Sequence, residues 1–344
     1  MNSSGENNTP IGRLGKYGLI DLLTKNASNR NKSSVSVIGD DSAVIDSGRS
    51  YTLITSDLLL EGIHFNLIYT PLKHLGYKSV IRAISDIYAM NGTPGQILIT
   101  LGISSRFSVE LISELYEGVY HACDKYSVDL AGGDTTSSLT GLTIGVTAAG
   151  TVEPGRIVRR DGAKPNDLIC VTGDFGGAYM GLQLLEREKK LFENNKGIQP
   201  DLAGHEYIIG RQLKPEFPFK VLNELNEKGI LPTSMIDVSD GLASDLLHIC
   251  ESSTVGCRIF SSKIPVETET LKLAEEFRID AVTAALNGGE DYELLFTVPL
   301  ESFEQISSVP SVTVIGHITQ VDYGKYLITD DGSEVEITAQ GWRI

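Results

Sequence analysis

The stretch "SVIGDDSAVI", residues 36–45, combines strand-forming residues with two adjacent carboxylates. The apolar residues before and after the pair predict two short β-strands broken by a turn at Gly39. Asp beside Gly is common at a hairpin tip, so Asp40 and Asp41 taken alone have an ordinary structural explanation. A functional explanation depends on whether the same pattern occurs elsewhere in the chain.

The pattern recurs in both halves of the sequence. Acidic residues follow or interrupt apolar runs at Asp57 after "YTLIT", Asp86 within "ISDI", Asp134 after "VDLAGG", and Asp237 and Asp240 in "SMIDVSDG". Because loops at strand ends commonly present functional groups, we expect these carboxylates to lie together. Clustered carboxylates repel one another unless cations lie between them. Mg²⁺ is the expected cation, since it favours oxygen ligands and bridges carboxylates to phosphates.

Neighbouring hydroxyl groups fit the same interpretation. They could add neutral metal ligands or bond phosphate oxygens, and they belong to Thr55, Ser56, Thr135 and Ser239. The structural alternative is that Asp134 and Asp240 are N-caps of helices that begin directly after them. A chain-wide set of capping acids flanked by glycine is less expected than a metal site.

Length and patterning predict two domains of mixed α and β structure. The 344 residues exceed the roughly 250–300 that one hydrophobic core usually holds. Strand-like runs at 51–55, 96–101 and 142–148 alternate with helical patterns at 75–90 and 109–125. Pro, Gly and charged residues concentrate in "TVEPGRIVRRDGAKPND", residues 151–167, which divides the chain into domains of residues 1–150 and 151–344.

Charge and hydropathy exclude several classes of protein. A formal net charge of −16 argues against binding to nucleic acid or to an anionic membrane, because Lys and Arg form no stripe that would neutralise phosphates. No secretory signal and no apolar run near the roughly 18 residues of a membrane span are visible. We therefore expect a cytoplasmic protein whose four cysteines are reduced thiols.

Common nucleotide-binding motifs are absent from the sequence or incomplete. There is no GxxxxGK[ST] loop, and "DFG" at 174–176 lacks the other protein-kinase signatures. The surrounding "TGDFGG" could hold an anion on backbone N–H groups, although a glycine turn after a strand is more often only a turn. His64, in "LEGIHF", could donate to a phosphate, but a lone histidine is more often structural.

The ordered segments "IGDDSAVI", "TSDLLLEGIHF", "AISDIYAMNGTP", "AGGDTT", "RRDGAKPND", "IDVSDGLASDL" and "GGEDYELLF" resemble the thiamine-monophosphate kinase family. That family belongs to the superfamily of aminoimidazole ribonucleotide synthetase and selenophosphate synthetase. The resemblance extends from about residue 11 to "GW" near the end of the sequence. It implies ATP-dependent transfer of a phosphoryl group to thiamine monophosphate, giving thiamine diphosphate and ADP.

The resemblance also implies an α+β architecture of two domains in a homodimer. The N-terminal domain is expected to be an α/β sandwich that binds metal and ATP and whose sheet pairs with that of a second subunit. The C-terminal α+β domain would complete the ATP and substrate sites.

Site residues follow from the matching motif positions. The resemblance implies that several Mg²⁺ ions are held by Asp41, Thr55, Ser56, Asp57, Asp86, Asp134 and Asp237, with Asp240 as ligand of a further ion. ATP would contact Tyr116, Gly133, Asp134, Arg160 and Ser239, and the thiamine substrate would contact His64, Glu290 and Trp342. Asp57, Asp86 and Asp134 are the implied catalytic residues. The family pattern "VNLSDIAAMGA" differs here at Ala83, Tyr88 and Asn91.

Two other functions are compatible with the sequence. A related ATP-dependent synthetase, which activates an amide or carbonyl oxygen, would share the metal and ATP residues; "GGEDYELLF", His64 and Trp342 argue against it. A non-catalytic metal- or nucleotide-binding protein would bind ligands without releasing ADP.

Overall fold

The computed structural model describes residues 13–36, 38–195 and 199–339, and it contains two β-sheets with helices packed on them. The elements of the first half are α1 (Gly15–Thr24), β1 (Ser34–Ser36), β2 (Ala43–Asp46), β3 (Tyr51–Leu60), α2 (Leu72–Ala89), β4 (Thr93–Ile103), α3 (Val109–Tyr126), β5 (Asp129–Ser137) and β6 (Thr143–Val152). Their six strands form one sheet in the order β1-β2-β3-β6-β4-β5. Strands β4 and β5 are parallel and the other neighbours are antiparallel.

The second half forms a seven-stranded sheet in the order β13-β12-β9-β11-β7-β10-β8. Its elements are β7 (Leu168–Thr172), α4 (Gly177–Asn194), α5 (Glu206–Leu213), α6 (Phe219–Glu227), β8 (Ser234–Val238), α7 (Leu242–Ser253), β9 (Gly256–Phe260), α8 (Thr268–Phe277), α9 (Ala281–Asn287), β10 (Glu293–Val298), α10 (Phe303–Ser307), β11 (Val312–Thr319), β12 (Lys325–Ile328) and β13 (Glu334–Glu336). The predicted α+β class is confirmed.

Helix α2 is the central element of the fold. Most of its side chains are buried, because the helix contacts β3, β4 and β6 of the first sheet and β8 of the second. A helix that is buried on nearly every side packs against neighbours all round. One hydrophobic core accordingly joins Leu53 and Val146 of the first sheet to Met235 and Phe296 of the second. The domain division at residue 150 stays a prediction, since this core is continuous across it.

Two structural alternatives for the acidic residues are wrong. Asp134 caps no helix, since it lies within strand β5. Helix α7 does begin after Asp240, but its N-cap is Gly241. The carboxylate of Asp245 accepts from the backbone N–H groups of Ser239, Asp240 and Gly241, at 3.2 Å each. Asp245 therefore provides the cap, and the Asp240 side chain is not required for it.

The glycine turn "TGDFGG" does not serve an external anion. Its backbone N–H groups at Gly176 and Ala178 donate to the buried carboxylate of Asp291, at 3.1 and 3.5 Å. The start of helix α4 is thus neutralised by a side chain of the protein itself.

Two further findings concern the cysteines and the membrane. Cys123, Cys170, Cys250 and Cys257 are all buried, and none of them forms a disulfide within the described residues. Within the described ranges, none of the helices combines the length and apolar character that crossing a bilayer requires.

Helices α2 and α3 cross at two glycines. A Cβ atom at Gly118 would lie 1.8 Å from the carbonyl oxygen of Lys73, and one at Gly76 would lie 2.0 Å from that of Leu115. Both obstacles are backbone atoms, so a side chain at either position would force the helices apart.

We predict that Gly118→Ala lowers the free energy of unfolding by about 1–3 kcal/mol, because the added methyl group cannot fit at this crossing. Gly210→Ala is the matched control, since Gly210 lies inside α5 with open space beside it. That change should raise stability by up to about 1 kcal/mol through helix propensity. Urea unfolding measures both variants, and a Gly118→Ala protein as stable as the wild type would contradict the close crossing.

Candidate functional site

Three of the predicted acidic residues converge between the two sheets. Asp41 lies in the loop between β1 and β2, Asp86 lies in the last turns of α2, and Asp237 lies in β8. One carboxylate oxygen from each lies within 4.8 Å of the others. Residues from three distant parts of the sequence therefore form one acidic cluster.

Strand β3 adds two groups to this cluster. Side chains alternate along a strand, so Thr55 and Asp57 share the face that packs on α2, whereas Ser56 points the other way. The hydroxyl of Thr55 donates to Asp86, while Ser56 hydrogen-bonds Thr147 at 3.0 Å. The hydroxyl of Thr55 is thus directed at the acidic cluster, and that of Ser56 is directed at β6.

Basic side chains pair with one acid of the cluster and with two acids beside it. Arg160 donates from Nε to Asp41 Oδ1 at 3.2 Å, and Arg82 donates from Nε to Asp57 Oδ1 at 2.9 Å. Lys16 Nζ lies 2.8 Å from Asp240 Oδ2 and donates to it, as does the Tyr17 hydroxyl. The predicted contact residue Arg160 is therefore at the site, together with three residues that the sequence did not indicate.

Burial and mutual repulsion raise the pKa values of the central acids. Burial, followed by the neighbouring Asp41, raises the pKa of Asp40 to about 7. Burial, again followed by Asp41, raises the pKa of Asp237 to about 7. Burial and then the charges of Asp57 and Asp237 raise the pKa of Asp86 well above its ordinary value. The pKa of Asp240 is lowered, because Lys16 and Tyr17 outweigh its burial.

These residues fit divalent metal ions. The three carboxylate oxygens lie within 4.8 Å of one another, which is near enough for them to share one Mg²⁺ with ligand distances of about 2.0–2.1 Å. Asp41 Oδ2 and Asp57 Oδ2 are buried without a hydrogen-bond partner among the described residues. A buried, unpaired carboxylate oxygen is costly, and a hard cation would remove that cost. The donor set is all oxygen, which is the set that Mg²⁺ prefers.

A second cavity adjoins the acidic cluster. It encloses ≈ 700 Å³ and is lined by His64, Tyr69, Lys78 and Glu290, among others. Ser239 and Asp240 line both this cavity and the ≈ 510 Å³ cavity of the acidic cluster. The predicted ATP residue Ser239 thus lies where the two cavities meet. The ≈ 700 Å³ cavity has the volume of a small-molecule site.

The loop before β10 places Glu290 at this junction. The backbone N–H groups of Glu290 and Tyr292 donate to the carbonyls of Ser239 and Val238, at 2.8 and 2.9 Å. Gly289, Glu290 and Tyr292 all have left-handed φ angles, of 72°, 59° and 52°. A Cβ at Gly289 would also lie 2.8 Å from the Ser239 carbonyl. A glycine is therefore required here, and the constrained backbone fixes the position of the Glu290 side chain.

Two basic residues of α2 complete the site, and neither was predicted from the sequence. Lys78 Nζ donates to Glu290 Oε2 at 2.9 Å and to the Gln212 carbonyl at 2.8 Å. Arg82 lies between Asp57 and Glu290. Lys78 outweighs the effect of burial and lowers the pKa of Glu290, which stays ionised.

Burial and then Arg82 lower the pKa of His64. His64 Nδ1 accepts from the Leu60 backbone at 3.0 Å, so the neutral ring carries its proton on Nε2.

Other predicted residues lie apart from the cluster. Asp134, in β5, stands in register with Thr100, Gly145 and Leu58 across the sheet. Three strand spacings, about 14 Å in total, thus separate it from the position next to Asp57. Gly133 precedes it on the same exposed strand, and Tyr116 lies on α3 beside Tyr120. Trp342 lies outside the described residues.

Comparisons with known proteins agree with this geometry. Residues 39–152 match the family described as "AIR synthase related protein, N-terminal domain". The thiamine-monophosphate kinase of Aquifex aeolicus (strain VF5) is 33% identical over 96% of this chain and 98% of its own. The Bacillus subtilis (strain 168) enzyme of the same name is 32% identical over 96% and 99%. A solved structure of AaThiL complexed with AMPPCP and TMP has a TM-score of 0.82 at 30% identity, covering 96% and 98% of the two chains.

We predict that without divalent cations the melting temperature falls as the pH rises from about 5.5 to about 8. The folded protein holds protons on Asp40 and Asp237 up to a pKa of about 7, whereas the unfolded chain loses them near 3.8. The stability due to these groups is therefore present at low pH and lost as the pH rises through about 7.

Added Mg²⁺ should raise the melting temperature more at about pH 8 than at about pH 5.5, because protonated carboxyls bind metal poorly. Asp86→Asn is the comparison variant, and its melting temperature should depend less on both pH and Mg²⁺. Scanning calorimetry in EDTA and in MgCl₂ measures all four conditions. A melting temperature in EDTA that rises over this pH range would contradict the assignment.

Proposed function

The chain belongs to the thiamine-monophosphate kinase family, and on that premise we propose that its acidic cluster and the adjoining cavity are the active site for ATP-dependent phosphorylation of thiamine monophosphate. In this reaction an oxygen of the acceptor phosphate forms a bond to the γ-phosphorus of ATP, and the bond from that phosphorus to the bridging oxygen of ADP breaks. The products are thiamine diphosphate and ADP. The observation that carries the proposal is the junction of the two cavities at Ser239 and Asp240.

We propose a magnesium role for the predicted ligands. When bound, Mg²⁺ would neutralise the charge that develops on the phosphate oxygens. The residues proposed to hold it within one subunit are Asp41, Thr55, Asp57, Asp86 and Asp237, with Asp240 for a further ion. The predicted ligand Ser56 faces β6 and not the cluster, and the predicted ligand Asp134 could contribute only from a second subunit. Support comes from the three carboxylates within 4.8 Å of one another and from the unpaired oxygens of Asp41 and Asp57.

The remaining residues bind and orient the two substrates. An acceptor phosphate is already ionised at neutral pH, so the reaction needs no general base, and the site accordingly relies on position and charge. Arg160 supplies a fixed positive charge beside the cluster for ATP. Glu290 and His64 line the cavity proposed for the thiamine group, where ionised Glu290 would attract its cationic ring. Trp342 is proposed to contact the same ring.

The rival synthetase reaction is disfavoured by a specific feature of the cavity. A synthetase that activates an amide or carbonyl oxygen needs no carboxylate to receive a cationic ring. Glu290 is held ionised by Lys78 and is fixed by a left-handed backbone at the entrance to the acidic cluster. An ionised carboxylate fixed in the cavity favours an acceptor that carries a positive charge.

An ADP-release assay over a panel of acceptors tests the proposal. We predict MgATP-dependent ADP release with thiamine monophosphate, and a rate at least about a hundredfold lower with inorganic phosphate or pyridoxal phosphate. Asp57→Asn should abolish release, because Asn cannot supply the negative oxygen required by Mg²⁺. ADP release independent of the thiamine compound would contradict the proposed acceptor, and full activity of Asp57→Asn would contradict the proposed metal role.

We further propose that the protein is a homodimer joined through its first sheet. The sheet face opposite α2 exposes apolar side chains, which include Leu58, Leu60 and Leu98. Edge strand β5 is exposed along most of its length. In such a dimer, Gly133, Asp134 and Tyr116 of one subunit would serve the site of the other, which is consistent with their distance from the cluster in their own subunit.

Sedimentation equilibrium should therefore give the mass of two 37.2 kDa chains. Leu58→Glu combined with Leu98→Glu should shift the protein to the mass of one chain. The reason is that dimer formation would bury the two new charges against the six-stranded sheet of the other subunit. A wild-type protein that sediments as a monomer at micromolar concentration would contradict the dimer.

A further inference from the structure

Arg82 stands between the two cavities of the proposed active site. It lies on α2, one helical turn after Lys78 and one turn before Asp86. Its Nε donates to Asp57 Oδ1 at 2.9 Å, and its Nη1 lies 3.8 Å from Glu290 Oε1. The guanidinium therefore links a carboxylate of the metal cluster to a carboxylate of the acceptor cavity.

Most of the hydrogen-bonding capacity of Arg82 is unused. A guanidinium has five N–H donors, and in the described part of the chain the two terminal nitrogens of Arg82 donate no hydrogen bond. The side chain is 18% exposed, so it is held in place but still reaches the cavity of the cluster. The planar fork of its terminal nitrogens matches two oxygens of a phosphate group.

Arg82 lines the cavity of the acidic cluster and lies between Asp57 and Glu290, where the phosphate of an acceptor held beside Glu290 would approach the cluster. That phosphate has to approach the metal-bound end of ATP while the rest of the acceptor occupies the cavity of Glu290. It would then lie beside the two carboxylates of Asp57 and Glu290, and both would repel it. A cation between them offsets this repulsion, in addition to the charge that bound Mg²⁺ would supply.

Other basic groups nearby are committed elsewhere. Lys78 is 4% exposed, and its ammonium group contacts both Glu290 and the Gln212 carbonyl. Lys16 pairs with Asp240, and Arg160 pairs with Asp41. Asp57 can retain Arg82 on Oδ1 while Oδ2, which is buried and unpaired, remains available to a metal ion. Arg82 can therefore act without displacing the metal.

We propose that Arg82 binds the phosphate monoester of the acceptor and thereby selects phosphorylated over unphosphorylated acceptors. This inference rests on the proposed function, because it takes the cavity of Glu290 as the acceptor site. It assigns the terminal nitrogens of Arg82 to the acceptor phosphate and leaves Nε on Asp57.

Calorimetric binding of two probes tests this role. Thiamine monophosphate and thiamine are titrated into the protein with Mg²⁺ and a non-hydrolysable ATP analogue, and the ratio of their dissociation constants measures the contribution of the phosphate. Arg82→Met should reduce this preference for the monophosphate at least about tenfold, as expected for loss of charge-assisted hydrogen bonds. Affinity for thiamine itself should change less than about threefold.

Three further variants serve as controls. Lys73→Met removes a cation from the exposed side of the same helix and should leave the ratio unchanged. Arg82→Lys keeps the charge without the fork, and should lower the preference by a smaller factor. Arg82→Gln keeps a donor for Asp57, and it is measured in place of Arg82→Met if that protein does not fold. A merely structural role of Arg82 would weaken both probes equally and leave the ratio intact.

The inference and the proposed function fail in different ways. If wild-type protein releases no ADP with thiamine monophosphate, the proposed function is wrong. If it does release ADP, but folded Arg82 variants keep the wild-type preference for the monophosphate, then the role of Arg82 alone is overturned. A wild-type ratio in Arg82→Lys together with a tenfold loss in Arg82→Met would show that charge suffices and would still support the contact.

Discussion

Repulsion among buried carboxylates is the constraint around which this structure is organised. Asp41, Asp86 and Asp237 come from a loop, a helix and a strand, and the fold brings one oxygen of each within 4.8 Å of the others. The raised pKa values of these acids show that the folded protein carries them at a cost in the absence of cations. Arg160, Arg82 and Lys16 pair with Asp41, Asp57 and Asp240, and the carboxylate oxygens that these cations do not contact are the ones proposed to hold metal ions. Stability and function are therefore linked at the same atoms.

Helix α2 makes this arrangement possible. Because the helix is enclosed by both sheets, its polar residues have fixed surroundings even though the helix is otherwise apolar. Lys78, Arg82 and Asp86 recur at intervals of four residues, so they share one face of the helix. Lys78 lines the proposed acceptor cavity, whereas Arg82 and Asp86 line the cavity of the acidic cluster. A single rigid element thus aligns the groups proposed to act on the two substrates.

Much of the fold and part of the site could be predicted from sequence. The recurrence of acids beside apolar runs indicated Asp41, Asp86 and Asp237, but not at strand-end loops as expected: Asp86 lies in helix α2 and Asp237 lies within strand β8. Lys78 and Arg82 were not predicted, although their spacing from Asp86 at intervals of four residues in a predicted helix places all three on one face. The family pattern "VNLSDIAAMGA" has Val at the position of Arg82, so the resemblance did not indicate this residue either. The opposite directions of Thr55 and Ser56 also follow from strand alternation. The contacts of Lys16 and Tyr17 with Asp240 join residues more than 220 positions apart, and no local pattern indicates them. The separation of Asp134 from Asp57 depends on strand order, which local sequence does not specify.

The most direct test of the central claim is the location of metal in a crystal. Crystals grown with Mn²⁺ and a non-hydrolysable ATP analogue should give an anomalous difference peak among the carboxylates of Asp41, Asp86 and Asp237, since Mn²⁺ uses the same oxygen ligands as Mg²⁺. The same crystals of Asp86→Asn should lose or weaken that peak while the nucleotide remains bound. A wild-type map with ordered nucleotide, manganese peaks elsewhere and none between these three carboxylates would contradict the account.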